Sequence, residues 1–129
     1  MNVRYFGKPQ ATTIGTDWTT VDEVLKELGG KATIEFSNEG ATTTSGFRVQ
    51  VKPHPGADWH TLLADANFDS TSLSVLLAGS TTGPQELTGG AKAFFMLNIA
   101  PCFGLRFQAK VASGTTTGKI AGAIEDGGF

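Results

Sequence analysis

The chain has a single cysteine, Cys102, so no disulfide can close within it and the fold does not depend on an oxidising compartment. Charge is scarce as well. Asp, Glu, Lys and Arg make up 17% of the 129 residues, against about a quarter in an average soluble domain, and a surface with so few charges is cheap to desolvate. The Lys and Arg are scattered and the net charge is −2, which argues against a nucleic-acid partner, because neutralising phosphates takes clustered cations. Long apolar runs are missing too. The most apolar stretch, Ala93 to Ala100, is interrupted by Asn98 and falls far short of the roughly 20 residues of a membrane-spanning helix, so no membrane partner is expected. Arg4 and Lys8 have no apolar stretch behind them, so no signal peptide is expected; the chain reads as made in the cytoplasm and soluble.

What is present is a repeated alternation. Phe47-Arg48-Val49-Gln50-Val51-Lys52 and Leu105-Arg106-Phe107-Gln108-Ala109-Lys110 both put apolar residues at odd positions and Arg, Gln and Lys at even ones. That period of 2 belongs to strands with one face in a core and one in water. The flanks of the two copies differ, so they read as two half-exposed strands of one sandwich and not as a duplicated domain. Like charges directly opposite across such a pair would cost stability unless offset. If the strands lie side by side, their outward face is the first place to look for a partner.

Other strand candidates are Lys31–Phe36, with Ala32, Ile34 and Phe36 on one face, then Trp59–Leu63, Leu73–Ala78, Ala93–Ile99 and Thr117–Ile124. Ala93–Ile99 is apolar on both faces and so is expected to be central, Thr117–Ile124 is expected to close the sheet, and residues 125–129 form a loose tail. Turn clusters separate these strands at the rhythm of a sandwich or barrel. One segment follows another rule. Val21, Val24, Leu25 and Leu28 recur at helical spacing, Thr20 and Glu23 form a capping box, and Gly29 suits the stop position, which predicts a short helix over residues 20–28; the alternative is a strand continuing from Trp18. The expected architecture is an all-β single domain over residues 1–129. It is an antiparallel β-sandwich, immunoglobulin-like or jelly-roll, long enough to bury roughly two-thirds of the unfolded surface.

Several constellations imitate chemistry. Asp65-Ala66-Asn67-Phe68-Asp69 has the alternating oxygens of a calcium loop, but Ser70 stands where the sharp turn needs Gly and Leu76 where a bidentate Glu is required, so it reads as a connection. Gly114-Thr115-Thr116-Thr117-Gly118-Lys119 resembles a phosphate loop with one residue too few between its glycines and Ile120 in place of Ser or Thr; it reads as a hairpin turn. His54, Asp58 and His60 flank a Pro-Gly turn, where exposure neither fixes metal ligands nor shifts pKa values. Cys102 reads as a small buried apolar residue. Trp18 and Trp59 offer a sugar-stacking platform with Asp58 or Asp65, but with nine Phe, two Trp and one Tyr to fill a core, inward packing is the stronger expectation. No catalytic, metal or cofactor set emerges, and no enzyme activity is expected.

The run Lys31 to Gly40, the strand Gly46 to Lys52, the Gly56-Ala57-Asp58-Trp59 turn and the segment Leu105 to Thr116 together resemble the small β-sandwich proteins of tailed bacteriophage virions, capsid decoration (cement) proteins first. The resemblance implies a non-enzymatic virion protein that assembles on capsid protein subunits, as a homo-oligomer. Residues 1–10, with Arg4, Tyr5 and Phe6, are the expected docking arm, the alternative being an ordinary edge strand. The outward Arg48, Gln50, Lys52, Arg106, Gln108 and Lys110 complete the interaction candidates. A carbohydrate-binding or other recognition module on the same fold is the alternative function.

Overall fold

The structure, a computed structural model, describes residues 2–63 and 86–126. The calcium-like segment at Asp65, the candidate strand Leu73–Ala78 and the end of the expected tail lie outside the described residues. Two antiparallel sheets pack face to face as a β-sandwich. The first runs β1 (Val3–Gly7), β9 (Thr116–Asp126), β4 (Leu28–Asn38), β7 (Lys92–Cys102), with β2 (Thr12–Ile14) also on β9. The second runs β3 (Thr19–Val24), β8 (Gly104–Val111), β5 (Thr44–Lys52), β6 (His60–Leu63).

Alternation builds the core. Ala32, Ile34 and Phe36 of β4 point inward together as their spacing predicts, and so do Phe47 and Val49 of β5 and Leu105, Phe107 and Ala109 of β8. Phe47 joins the layers: its ring lies 5.0 Å from that of Phe36 and 5.4 Å, edge-on, from that of Phe95, both on the opposite sheet. Offset and edge-to-face contacts of this kind add to the burial term.

Four expectations need correction. Residues 20–28 form no helix; the described chain is all β. A bulge between Thr20 and Asp22, opposite Gln108 and Phe107, inserts Val21 as an extra residue, so Val21 and Val24 both face inward three positions apart. The bulge counterfeits helical spacing, while Leu25 is exposed and Leu28 already belongs to β4. Second, β7 is the last described strand of its sheet and not a central one, and its outward Phe94 and Met96 are exposed. Third, the central place next to β4 belongs to β9, which extends through Glu125 and Asp126, so those residues are strand and not tail. Fourth, the turn around Gly114 is no hairpin. It links β8 in one sheet to β9 in the other, using the positive φ of +73° that glycine tolerates.

The edge-strand alternative describes the N-terminal segment. Val3–Gly7 pairs with β9 residue by residue from Val3↔Glu125 to Gly7↔Ala121.

Candidate functional site: a two-fold array of Arg, Gln and Trp

The twin strands are neighbours. β5 and β8 pair antiparallel, with Gly46 opposite Lys110, Arg48 opposite Gln108, Gln50 opposite Arg106 and Lys52 opposite Gly104. Both therefore read Gly-x-Arg-x-Gln-x-Lys, and antiparallel pairing of one pattern with itself creates a local two-fold axis through the face, near the Val49–Phe107 pair. The feared like-charge opposition does not arise. Reversing the strand sets each Arg against a Gln, which is why the face tolerates its cations.

The side chains follow that symmetry. Arg48 Nε donates to Gln108 Oε1 at 2.8 Å, and Arg106 Nε donates to Gln50 Oε1 at 2.6 Å. Each glutamine passes the contact outward: Gln108 Nε2 donates to Thr20 Oγ1 on β3 at 3.0 Å, and Gln50 Nε2 to Thr61 Oγ1 on β6 at 3.1 Å. A charged donor makes the first link of each chain stronger than a neutral one. Both glutamines are buried, 6% exposed, although they lie on the sheet's outer face.

Two tryptophans lie against the cations of this face. Trp18 lies under the Arg48 guanidinium at 4.3 Å and the Lys110 ammonium at 4.6 Å; Trp59 lies under Arg106 at 4.5 Å and Lys52 at 5.7 Å. Each indole thus serves one Arg and one Lys from different strands, an arrangement favoured by the ring quadrupole. Gly104 makes room for the second: a Cβ there would sit 3.0 Å from Trp59 Cη2. Both tryptophans are half-buried outside the core, which corrects the expectation of inward packing. Burial pushes the Arg106 pKa down and the Glu23 charge, opposite it on β3, pulls it back up; the guanidinium stays cationic in any ordinary buffer.

Six of the nine candidate residues thus meet on one face: Arg48, Gln50, Lys52, Arg106, Gln108 and Lys110. Arg4, Tyr5 and Phe6 are on the other sheet, through β1. Tyr5 points outward, whereas Phe6 stacks on Phe107 with ring centroids 5.7 Å apart and planes 5° from parallel. Sequence reasoning missed Trp18, Thr20, Trp59 and Thr61 as members of the site. The available signal was that each Trp lies just ahead of a strand flanking the twin pair.

The remaining constellations stay dispersed. Among the described residues no three of His, Cys, Asp or Glu come close enough to hold a metal ion. Cys102 is half-buried against the core, its thiol donating to the Gly104 carbonyl at 3.6 Å, and burial pushes its pKa up, away from thiolate reactivity. Among the described residues no helix is long and apolar enough to cross a membrane.

No protein-family model matches the sequence, and no curated protein matches it either. Among solved structures, the SPBc2 prophage-derived protein YomS is similar in fold, with a TM-score of 0.51 over 95% of this chain and 93% of that one, at 13% identity. Chains from the Gx and Gt strains of infectious bursal disease virus match at 13% identity with TM-scores of 0.44 and 0.37, covering 99% and 100% of this chain but 33% and 32% of theirs. The first likeness shows a shared β-sandwich fold.

Proposed function

We propose that this chain is a non-enzymatic structural protein of a phage virion, a capsid decoration protein that docks on assembled capsid protein through the Arg–Gln–Trp face of β3, β8, β5 and β6. The observation that carries this reading is the pre-set geometry of that face. Arg48 and Arg106 are each held by a glutamine and stacked on an indole before any partner arrives. Arg and Trp are the residues that most often dominate interface energies. Side chains already fixed lose less entropy on docking, so more of the contact energy appears as affinity. The fold shared with a prophage-derived protein agrees with a phage origin.

Decoration follows from mass action. A protein that binds the assembled shell but not free subunits stabilises the shell by an amount that grows with the logarithm of its free concentration over Kd. The cations of the face call for an acidic partner surface, and salt therefore weakens docking. Co-sedimentation with empty capsids tests the reading: retention by capsids, lost in the R48A/R106A double variant, supports it, and wild-type protein left in the supernatant at every concentration contradicts it.

One observation favours a second reading. Two half-exposed tryptophans on one sheet face also suit carbohydrate recognition, although each indole already carries two cations. Sugar-dependent quenching of Trp fluorescence, without capsid binding, would favour it over decoration.

A further inference from the structure

The opposite outer face, on β1, β9, β4 and β7, has a different chemistry. It leaves large apolar side chains in water: Tyr5 is 81% exposed, Val3 51%, Met96 45% and Phe94 39%. Between the walls formed by Tyr5 and by Phe94 lies a groove of about 430 Å³, floored by Thr33, Ala121 and Ala123. A second hollow of about 170 Å³ continues it toward Lys31 and Glu125, sharing Thr33 and Ala123. A clustered patch of this kind, in contrast to scattered single residues, marks an interaction surface.

We infer that this face binds a second copy of the same chain, forming an isologous dimer. The register across the sheet supplies the reason. One row reads Tyr5, Ala123, Thr33, Met96 and the next Gly7, Ala121, Glu35, Phe94. A two-fold axis laid along the strands between β9 and β4 sets β1 of one copy over β7 of the other. Tyr5 then meets Met96, a favourable sulfur–aromatic contact, Ala123 meets Thr33, and Phe94 falls over Gly7, which carries no side chain.

Charge selects the same occupant. Glu125 of one copy falls over Lys31 of the other, and the face carries Lys92 beside Glu35 at 3.8 Å, so it holds both signs in balance. A strongly acidic or basic partner finds no complement there, whereas a rotated copy does. Size agrees as well. β9, β4 and β7 are 11 residues long and β1 is five, which gives these four strands a face of roughly 600 Å². Stable interfaces take roughly 600–1,000 Å² per partner.

The inference is independent of the capsid reading, which uses the other sheet. Sedimentation velocity of the purified chain over a concentration series tests it. A two-chain species that dissociates on dilution is expected, with M96K and Y5S each weakening association by about tenfold or more while leaving the β-sheet circular dichroism unchanged. K31E should weaken association and K31E/E125K should recover it. Because Tyr5 is so exposed, Y5S remains informative if M96K fails to fold. A single-chain species at every concentration overturns the inference. So does a dimer that both M96K and Y5S leave intact, or an assembly larger than two, since an isologous face closes on itself. A monomeric M96K that still binds capsids leaves the docking reading standing, and a dimer that ignores capsids leaves this one standing.

Discussion

Asn38 is fully buried at the end of β4, and its amide nitrogen donates to the carbonyls of Thr42 and Leu87, each at 2.8 Å. Its amide oxygen accepts from the Thr116 hydroxyl at 2.7 Å and from the Gly40 N–H at 3.3 Å. One side chain thereby ties β4 to the 40s turn, to the segment leading into β7 and to the start of β9. N38A takes away the side-chain partner of the Thr42 carbonyl and of the Thr116 hydroxyl and leaves the Leu87 carbonyl with the Thr44 N–H at 3.0 Å, and urea denaturation should show a loss of roughly 2–4 kcal/mol, several times that of a surface substitution. Asp22 is the converse case. It is buried beside the β3 bulge; desolvation raises its pKa, against the pull of the Glu23 N–H at 2.8 Å and of Lys8 at 4.0 Å, with the Glu23 charge adding to the rise. A carboxyl with a raised folded pKa binds its proton more tightly folded than unfolded, so its contribution favours folding at low pH and is lost as pH rises through the folded value. D22N should therefore raise the melting temperature at pH 7 and flatten its dependence on pH in the acid range. A variant less stable than wild type at pH 7 would show that the Lys8 contact outweighs burial.

At the scale of elements, the paired strands β5 and β8 were legible in advance because alternation is a local signal and a half-buried strand needs nothing else to declare itself. Which strands would pair was not legible, because pairing is a contact between segments far apart in sequence. β3 misled for a physical reason: one inserted residue, Val21, turns a period of 2 into a spacing of 3, which local rules read as helix. β7 misleads because an apolar outer face predicts a central strand, whereas β7 is the last described strand of its sheet and leaves Phe94 and Met96 exposed. In the sequence Trp18 and Trp59 read as aromatic mass for a core; only the tertiary register places them under the cations. The array itself can be measured. A double-mutant cycle on Arg106 and Gln50, joined at 2.6 Å, should give a coupling of about 1–2 kcal/mol in folding stability, because the link is charge-assisted and shielded by Trp59. A coupling indistinguishable from zero would mean that the pair is an ordinary solvated contact.

At the scale of the molecule, the sandwich separates two surfaces that differ in kind. One is cationic, symmetric and pre-ordered by tryptophan; the other is apolar, grooved and balanced in charge. A shell-binding protein has use for both, one to hold the shell and one to hold its own copy. The two predict different responses to salt: docking through the cationic face weakens as ionic strength rises, while self-association through the apolar face changes little. The most direct measurement of the docking claim is quantitative co-sedimentation with empty capsids, run beside the same capsid protein dissociated into subunits. Saturable binding to intact shells, absent for free subunits, weakened by salt and lost in R48A/R106A, is the expected result. Equal binding of wild type and R48A/R106A, or no binding to intact shells at all, would contradict it.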